Sequence, residues 1–109
     1  MGAAIAFHGR TAVPTGGSVT ISYTHDPKGK ASRVGIIAAA IDSGTQTGAL
    51  RLFYGNDANG IEIGNGTFTA NDPSVVLDPN FVIYPGQTIR AVFSTVTAGD
   101  VVSLFIGGH

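Results

Sequence analysis

Cysteine and tryptophan are both absent from the 109 residues, and charged side chains are scarce. Without cysteine there is no disulfide framework, no thiolate metal site and no thiol nucleophile. A domain this small must then hold itself together by packing or by oligomerisation. Without tryptophan the largest sugar-stacking ring is missing. Tyr23, Tyr54, Tyr84 and Phe53 remain, and each falls at an alternating position expected to pack into the core. Charged residues make up 12% of the chain, about half the usual share for a soluble protein. Six Lys+Arg against seven Asp+Glu give a net charge of −1, and the basic residues are scattered along the chain. A nucleic-acid binder needs a basic patch that neutralises several phosphates, so nucleic acid is excluded as a partner. Little charge beside 43% hydrophobic residues leaves little polar surface, which points to burial against partners.

Long hydrophobic runs are missing too. The longest, 34–41, is far too short for a membrane-spanning helix. The opening MGAAIAFHGR has neither a basic n-region nor a long apolar h-region, and Ala6 stands where N-myristoylation needs Ser or Thr. The expectation is a protein made in the cytoplasm, soluble, with no membrane partner.

What the chain does have is turn punctuation. Its 16 glycines and five prolines fall between apolar runs rather than inside them. About eight strands at intervals of roughly 8–15 residues read as one domain over 1–109, an all-β, antiparallel β-sandwich of jelly-roll type. The first strand, 3–8, is expected at an edge. In 18–24 (SVTISYT), Val19, Ile21 and Tyr23 face the core opposite Ser18, Thr20, Ser22 and Thr24. The segment 32–41 (SRVGIIAAAI) is ambiguous: Ala38-Ala39-Ala40 permits a short helix, whereas β-branched Val34, Ile36 and Ile37 favour a strand. As a strand it is apolar on both faces, Val34/Ile36/Ala38/Ala40 and Gly35/Ile37/Ala39/Ile41. The segment 49–54 (ALRLFY) is likewise apolar on both faces save Arg51.

Asn59-Gly60 and Gly64-Asn65-Gly66 read as hairpin turns, and Asp72-Pro73 and Asp78-Pro79 as breaks. The last quarter carries two alternating runs. Ile89, Ala91 and Phe93 share one face of 87–94; Val102, Leu104 and Ile106 share one face of 100–106. Their five-residue connection, 95–99, predicts that they pair as a hairpin.

No catalytic constellation emerges. His8, His25 and His109 lack metal-ligand spacing and read as solvated or incidental. Residues 57–62 (DANGIE) partly match a calcium loop but lack its length and the spacing of its terminal bidentate glutamate, and a hairpin turn accounts for them. There is no G-x-S-x-G elbow, P-loop or dinucleotide fingerprint, and Asn65-Gly66-Thr67, although a glycosylation sequon, means only a surface turn. Neither an enzyme nor a cofactor is expected. A cupin-like enzyme would need clustered His and carboxylate ligands, which are missing.

Arg33, Arg51 and Arg90 interrupt apolar strand runs. They are read either as snorkelling to solvent or as interface residues paired with carboxylates such as Asp78 or Asp100 of a neighbour. With Ile37, Ile41 and Phe53 they form the candidate interface set.

Two segments carry a resemblance: Tyr84-Pro85-Gly86-Gln87-Thr88-Ile89-Arg90-Ala91-Val92-Phe93 and Ala98-Gly99-Asp100-Val101-Val102-Ser103-Leu104-Phe105-Ile106. Together, over about a quarter of the chain, they resemble small jelly-roll structural proteins of tailed bacteriophages, the capsid cement or decoration proteins. That resemblance implies a non-enzymatic homo-oligomer, a trimer or else a dimer. It would bind the major capsid protein on the capsid exterior of the virion. The alternative is a lectin-like or receptor-binding module of a phage tail or fibre, using loops 24–30, 42–48 and 55–60.

Overall fold

The computed structural model describes residues 4–55 and 60–109. The described residues form nine strands: β1 (Ile5–Ala12), β2 (Val19–Thr24), β3 (Ser32–Ser43), β4 (Gly48–Tyr54), β5 (Ile61–Phe68), β6 (Ser74–Leu77), β7 (Phe81–Ile83), β8 (Thr88–Ser94) and β9 (Val101–Gly108). They make two antiparallel sheets. One runs β1-β9-β3-β6 with β7 also on β3; the other runs β2-β8-β4-β5. This is the expected all-β sandwich, and the chain passes between its sheets in the jelly-roll manner. Nine strands fill eight positions, because β6 and β7 follow one another along the same edge of β3. Leu77 lies opposite Ile37, and Phe81 lies opposite Val34. The Asp78-Pro79-Asn80 break separates them, with Asn80 at φ 49°.

The ambiguous segment is a strand of twelve residues. Its β-branched residues suit the pleat, and paired strands on both sides outweigh the helical preference of three alanines. A register shift between Val34 and Ile36 places a bulge at Gly35. The extra residue resets the alternation, so Val34, Ile37, Ala39 and Ile41 all point inward and are at most 2% exposed. Neither of the two regular faces read from the sequence survives this reset.

Facing this row across the sandwich are Leu50 and Leu52 of β4, with Ile89, Ala91 and Phe93 of β8; beside it on β9 stand Val102, Leu104 and Ile106. Phe68 stacks on Phe93 with ring centroids 5.8 Å apart. Each such large apolar side chain contributes about 1.5–3 kcal/mol by leaving water.

Two expectations are overturned. β8 and β9 do not pair: β8 lies between β2 and β4, whereas β9 lies between β1 and β3 in the other sheet. At Thr95 the backbone turns to φ 53° and leaves the four-stranded sheet. Val96 then points inward at 5% exposure, with its amide bonded to the Gly17 carbonyl, and the chain crosses to the opposite sheet. A five-residue connection serves a hairpin or such an arch equally well, and the inward alternation of both strands fits either.

Nor is Gly64-Asn65-Gly66 a turn. These residues lie inside β5, paired with Leu52, Arg51 and Leu50. The glycines leave room for β6 instead. A Cβ on Gly64 would sit 2.8 Å from Leu77 Cδ1, and one on Gly66 would sit 2.7 Å from both Val75 methyls. The two sheets close on each other here, and Val75 and Leu77 fill the space that side chains on β5 would need.

Candidate functional site

The six candidate interface residues divide three ways. Ile37 and Ile41 are 0% and 1% exposed in the core, so they are not surface for a neighbour. The bulge at Gly35 turned their row inward. Arg33 stands on the outer side of β3, where its Nη1 donates to Asn80 Oδ1 at 3.1 Å. It borders a shallow depression lined by Ala31, Ser32, Val82 and His109.

Arg51, Phe53 and Arg90 meet on the outer face of the four-stranded sheet. Phe53 of β4 is register partner to Arg90 of β8 on one side and to Glu62 of β5 on the other. The guanidinium carbons of Arg51 and Arg90 lie 5.0 Å and 5.3 Å from the Phe53 ring centroid, both within cation–π range. Phe53 is thus outward, not in the core as its alternation suggested. Arg51 Nη2 donates to Glu62 Oε1 at 2.8 Å, and Asn65 Nδ2 donates to Glu62 Oε2 at 3.4 Å. The bond from Arg51 holds the Glu62 carboxyl below the usual carboxylate range, and the same bond raises Arg51. Around the cluster lie Thr20 and Ser22 of β2, both exposed.

The opposite outer face, on the five-stranded sheet, is apolar. Ala38 has Val76 of β6 as register partner on one side and Phe105 of β9 on the other. Val76 is 63% exposed, and Phe105 and Ile36 are 39% exposed each. Phe105 and Ile36 lean together over Gly107, where a Cβ would meet both within 3.0 Å. One rim of this strip carries an ion pair, Arg10 Nε to Asp42 Oδ2 at 3.1 Å, with Ser103 Oγ donating to Asp42 Oδ1. Sequence reading assigned the second apolar face of residues 32–41 to a partner. The face exists, but the bulge changes its membership, and Val76 and Phe105 join from strands far away in the chain.

Two titratable residues read as surface groups are buried. His25 is 3% exposed, its Nδ1 2.6 Å from the Tyr23 hydroxyl and its Nε2 2.5 Å from the Lys30 carbonyl. A carbonyl only accepts, so Nε2 donates to Lys30, while Nδ1 shares a hydrogen bond with the Tyr23 hydroxyl. Burial, and then the nearby Asp26 charge, push the Tyr23 hydroxyl above its ordinary value. Asp100, also 3% exposed, is bonded within its own chain and offers nothing to an arginine of a neighbour. His8 and His109 are exposed. Among the described residues no three His, Cys, Asp or Glu side chains group as metal ligands would. The partial calcium-loop match includes residues 57–59, outside the described residues.

The three loops suggested for ligand binding do not share one end. His25 bonds to Gln87 and Gly86, and Gly55 to Thr88, which puts the 24–30 loop and Gly55 at one end; residues 56–59 lie outside the described residues. Thr45 instead bonds to Asp100 at the opposite end.

No protein-family model and no curated protein matches the sequence. Solved structures do resemble the fold. The pre-peptidase C-terminal domain of a collagenase from Bacillus anthracis superposes with TM-score 0.56 at 13% identity, over 94% of this chain and 89% of that one. The CBM32 of AlyQ, solved in complex with 4,5-unsaturated mannuronic acid, gives 0.53 at 14% identity, over 90% and 75%. A nora virus structure gives 0.52 at 13% identity over 96% of this chain but 54% of the viral one, so this chain spans about half of that protein. At such identities the likeness establishes a β-sandwich fold.

Proposed function

We propose that this chain is a non-enzymatic structural protein that self-associates and binds the outer surface of a viral capsid, as cement and decoration proteins do. The observation that carries this reading is the apolar outer face of the five-stranded sheet, where Ile36, Val76 and Phe105 are exposed around Ala38. Burying a face of this kind against a neighbour is favourable by about 25 cal/mol for each Å² of apolar area. Many weak contacts repeated over a shell add by multivalency, so each contact need only be modest. The trimer, with a dimer as alternative, and the major capsid protein as partner follow from the resemblance carried by residues 84–93 and 98–106.

Light scattering across the micromolar range tests self-association, with Val76→Lys and Phe105→Ser as variants. The native protein is expected to associate and both variants to be monomeric. A native protein that is monomeric throughout rejects the self-association. Co-sedimentation with shells lacking the protein tests the capsid partner.

A second reading, a glycan-binding module, is favoured by one observation: the 24–30 loop and Gly55 share an end with Tyr84, which is 58% exposed. The similar fold of the AlyQ module supports it only at the level of architecture. A glycan-array signal lost in Tyr84→Ala distinguishes it from the first reading.

A further inference from the structure

We infer that the apolar strip is closed by a second copy of this chain, stacked face to face about a two-fold axis that crosses β3 at Ala38, so that Arg33 of each copy pairs with Asp42 of the other. This rests on self-association through the strip, and it adds the orientation, register and symmetry of the contact.

The outward row of β3 is lopsided in both charge and size. With Val34, Ile37, Ala39 and Ile41 turned inward, the outer side of the strand carries Arg33, Ile36, Ala38, Ala40 and Asp42. A cation stands at the start of the row and a carboxylate at its end. On the Arg33 side of Ala38, Ile36 and Phe105 lean together over Gly107 and form a ridge. On the Asp42 side, Ala40 lies between Ser74 and Ser103, and these three small side chains form a hollow. Arg33 and Asp42 are both exposed. The described bond of Arg33 goes to the neutral amide of Asn80, and a guanidinium has further donors. Asp42 accepts one bond on each oxygen, from Arg10 and from Ser103, and a carboxylate can accept about four.

A face of this kind is complementary to itself once it is turned end for end. A two-fold axis lying between the faces, across the strands at Ala38, sets the Ile36–Phe105 ridge of each copy in the Ala40–Ser103 hollow of the other. Large against small is how stacked sheets interdigitate. The same turn brings Arg33 to the second copy's Asp42 at one end and repeats the pair at the other. An axis along β3 would instead set ridge against ridge and Arg33 against Arg33. Val76, the register partner of Ala38, lies near the chosen axis and meets its own copy there. Such an isologous contact closes on two copies, so this face makes a dimer and not a trimer.

Sedimentation velocity of the full chain across the micromolar range tests this, with circular dichroism to check that each variant is folded. The native protein should show a monomer–dimer equilibrium. Arg33→Glu sets like charges together at both ends of the contact and should weaken the dimer about tenfold. Asp42→Lys should do the same; it is made together with Arg10→Ala, which spares the fold two adjacent cations. Mixed in equal amounts, the two variants should recover a dimer within about threefold of native strength. In the mixed pair the new carboxylate of one variant meets the new ammonium of the other, while native Asp42 meets native Arg33. Ala40→Leu fills the hollow and should also weaken the dimer, whereas an unspecific apolar contact would gain from the larger side chain. A native trimer, a dimer indifferent to Arg33→Glu, no recovery on mixing, or tighter association of Ala40→Leu overturns the inference and leaves self-association standing. A native protein that is monomeric throughout removes both.

Discussion

Asp100 holds Thr45 with both of its oxygens: Oδ1 accepts the Thr45 amide at 3.1 Å, and Oδ2 accepts the Thr45 hydroxyl at 3.0 Å. The two residues are 55 positions apart. Oδ2 also accepts the Thr97 amide at 3.3 Å, so one buried carboxylate joins the β3–β4 loop to the arch between the sheets. Gly44 makes the approach feasible. It sits at φ 104°, and any Cβ there would collide with the Asp100 carboxylate.

Asp100→Ala should therefore destabilise the fold by about 2–4 kcal/mol, since three hydrogen bonds to one buried carboxylate are lost together. Urea unfolding checks this: the midpoint should fall with the slope unchanged. Asp100→Asn, which keeps one oxygen as acceptor, should cost less.

The closure of β5 over β6 predicts a compensating pair. Gly66→Ala puts a methyl 2.7 Å from the Val75 methyls and should cost about 1–3 kcal/mol by overpacking. Val75→Ala in the same chain removes the obstacle. The double variant should be more stable than the sum of the single losses requires, by at least about 0.5 kcal/mol in a double-mutant cycle. Strict additivity would mean that the two positions do not compete for the same space.

At alkaline pH the relevant group is Tyr23. Burial first, and the Asp26 charge second, raise its hydroxyl above the ordinary 10.0. A raised value means that the fold favours the protonated phenol. The associated stability is then fully present below pH 10.0 and is lost as pH climbs through the higher value of the folded protein. Absorbance of tyrosinate during a pH titration should reveal one tyrosine ionising late, and Tyr23→Phe should remove that component. Asp26→Asn should move it part of the way back.

Much of the fold was legible because strand alternation reports directly on which side faces a core. Ile21 on β2, Phe93 on β8 and Leu104 on β9 all point where their spacing says. What alternation leaves open is which core-facing strands are neighbours. The β8–β9 hairpin failed for that reason, although Val96, the one sizeable apolar residue of the 95–99 connection, was a usable sign of a chain diving between sheets. Gly64 and Gly66 misled because a glycine needed for close approach is spelled like one needed for a turn.

At the candidate surfaces, Arg51, Phe53 and Arg90 lie together because β4 pairs with β8. Ile37 and Ile41 were lost to a bulge that a single glycine introduces, and no periodicity announces such a shift. Val76 and Phe105 were missed as surface residues. Each sits in an ordinary alternating run, and only the sheet order puts them beside Ala38.

The position of β9 between β1 and β3 also has a consequence for the newborn chain. Ile5 must wait for Gly108, and Ile41 for Val102, before either has its strand partner. During synthesis the first eight strands emerge while the middle of the five-stranded sheet is still empty. Pairing across such sequence separations is slow, and it leaves apolar strands exposed until β9 has emerged. Substitutions that weaken residues 101–108 should therefore reduce the soluble yield in cells more than their effect on equilibrium stability would suggest.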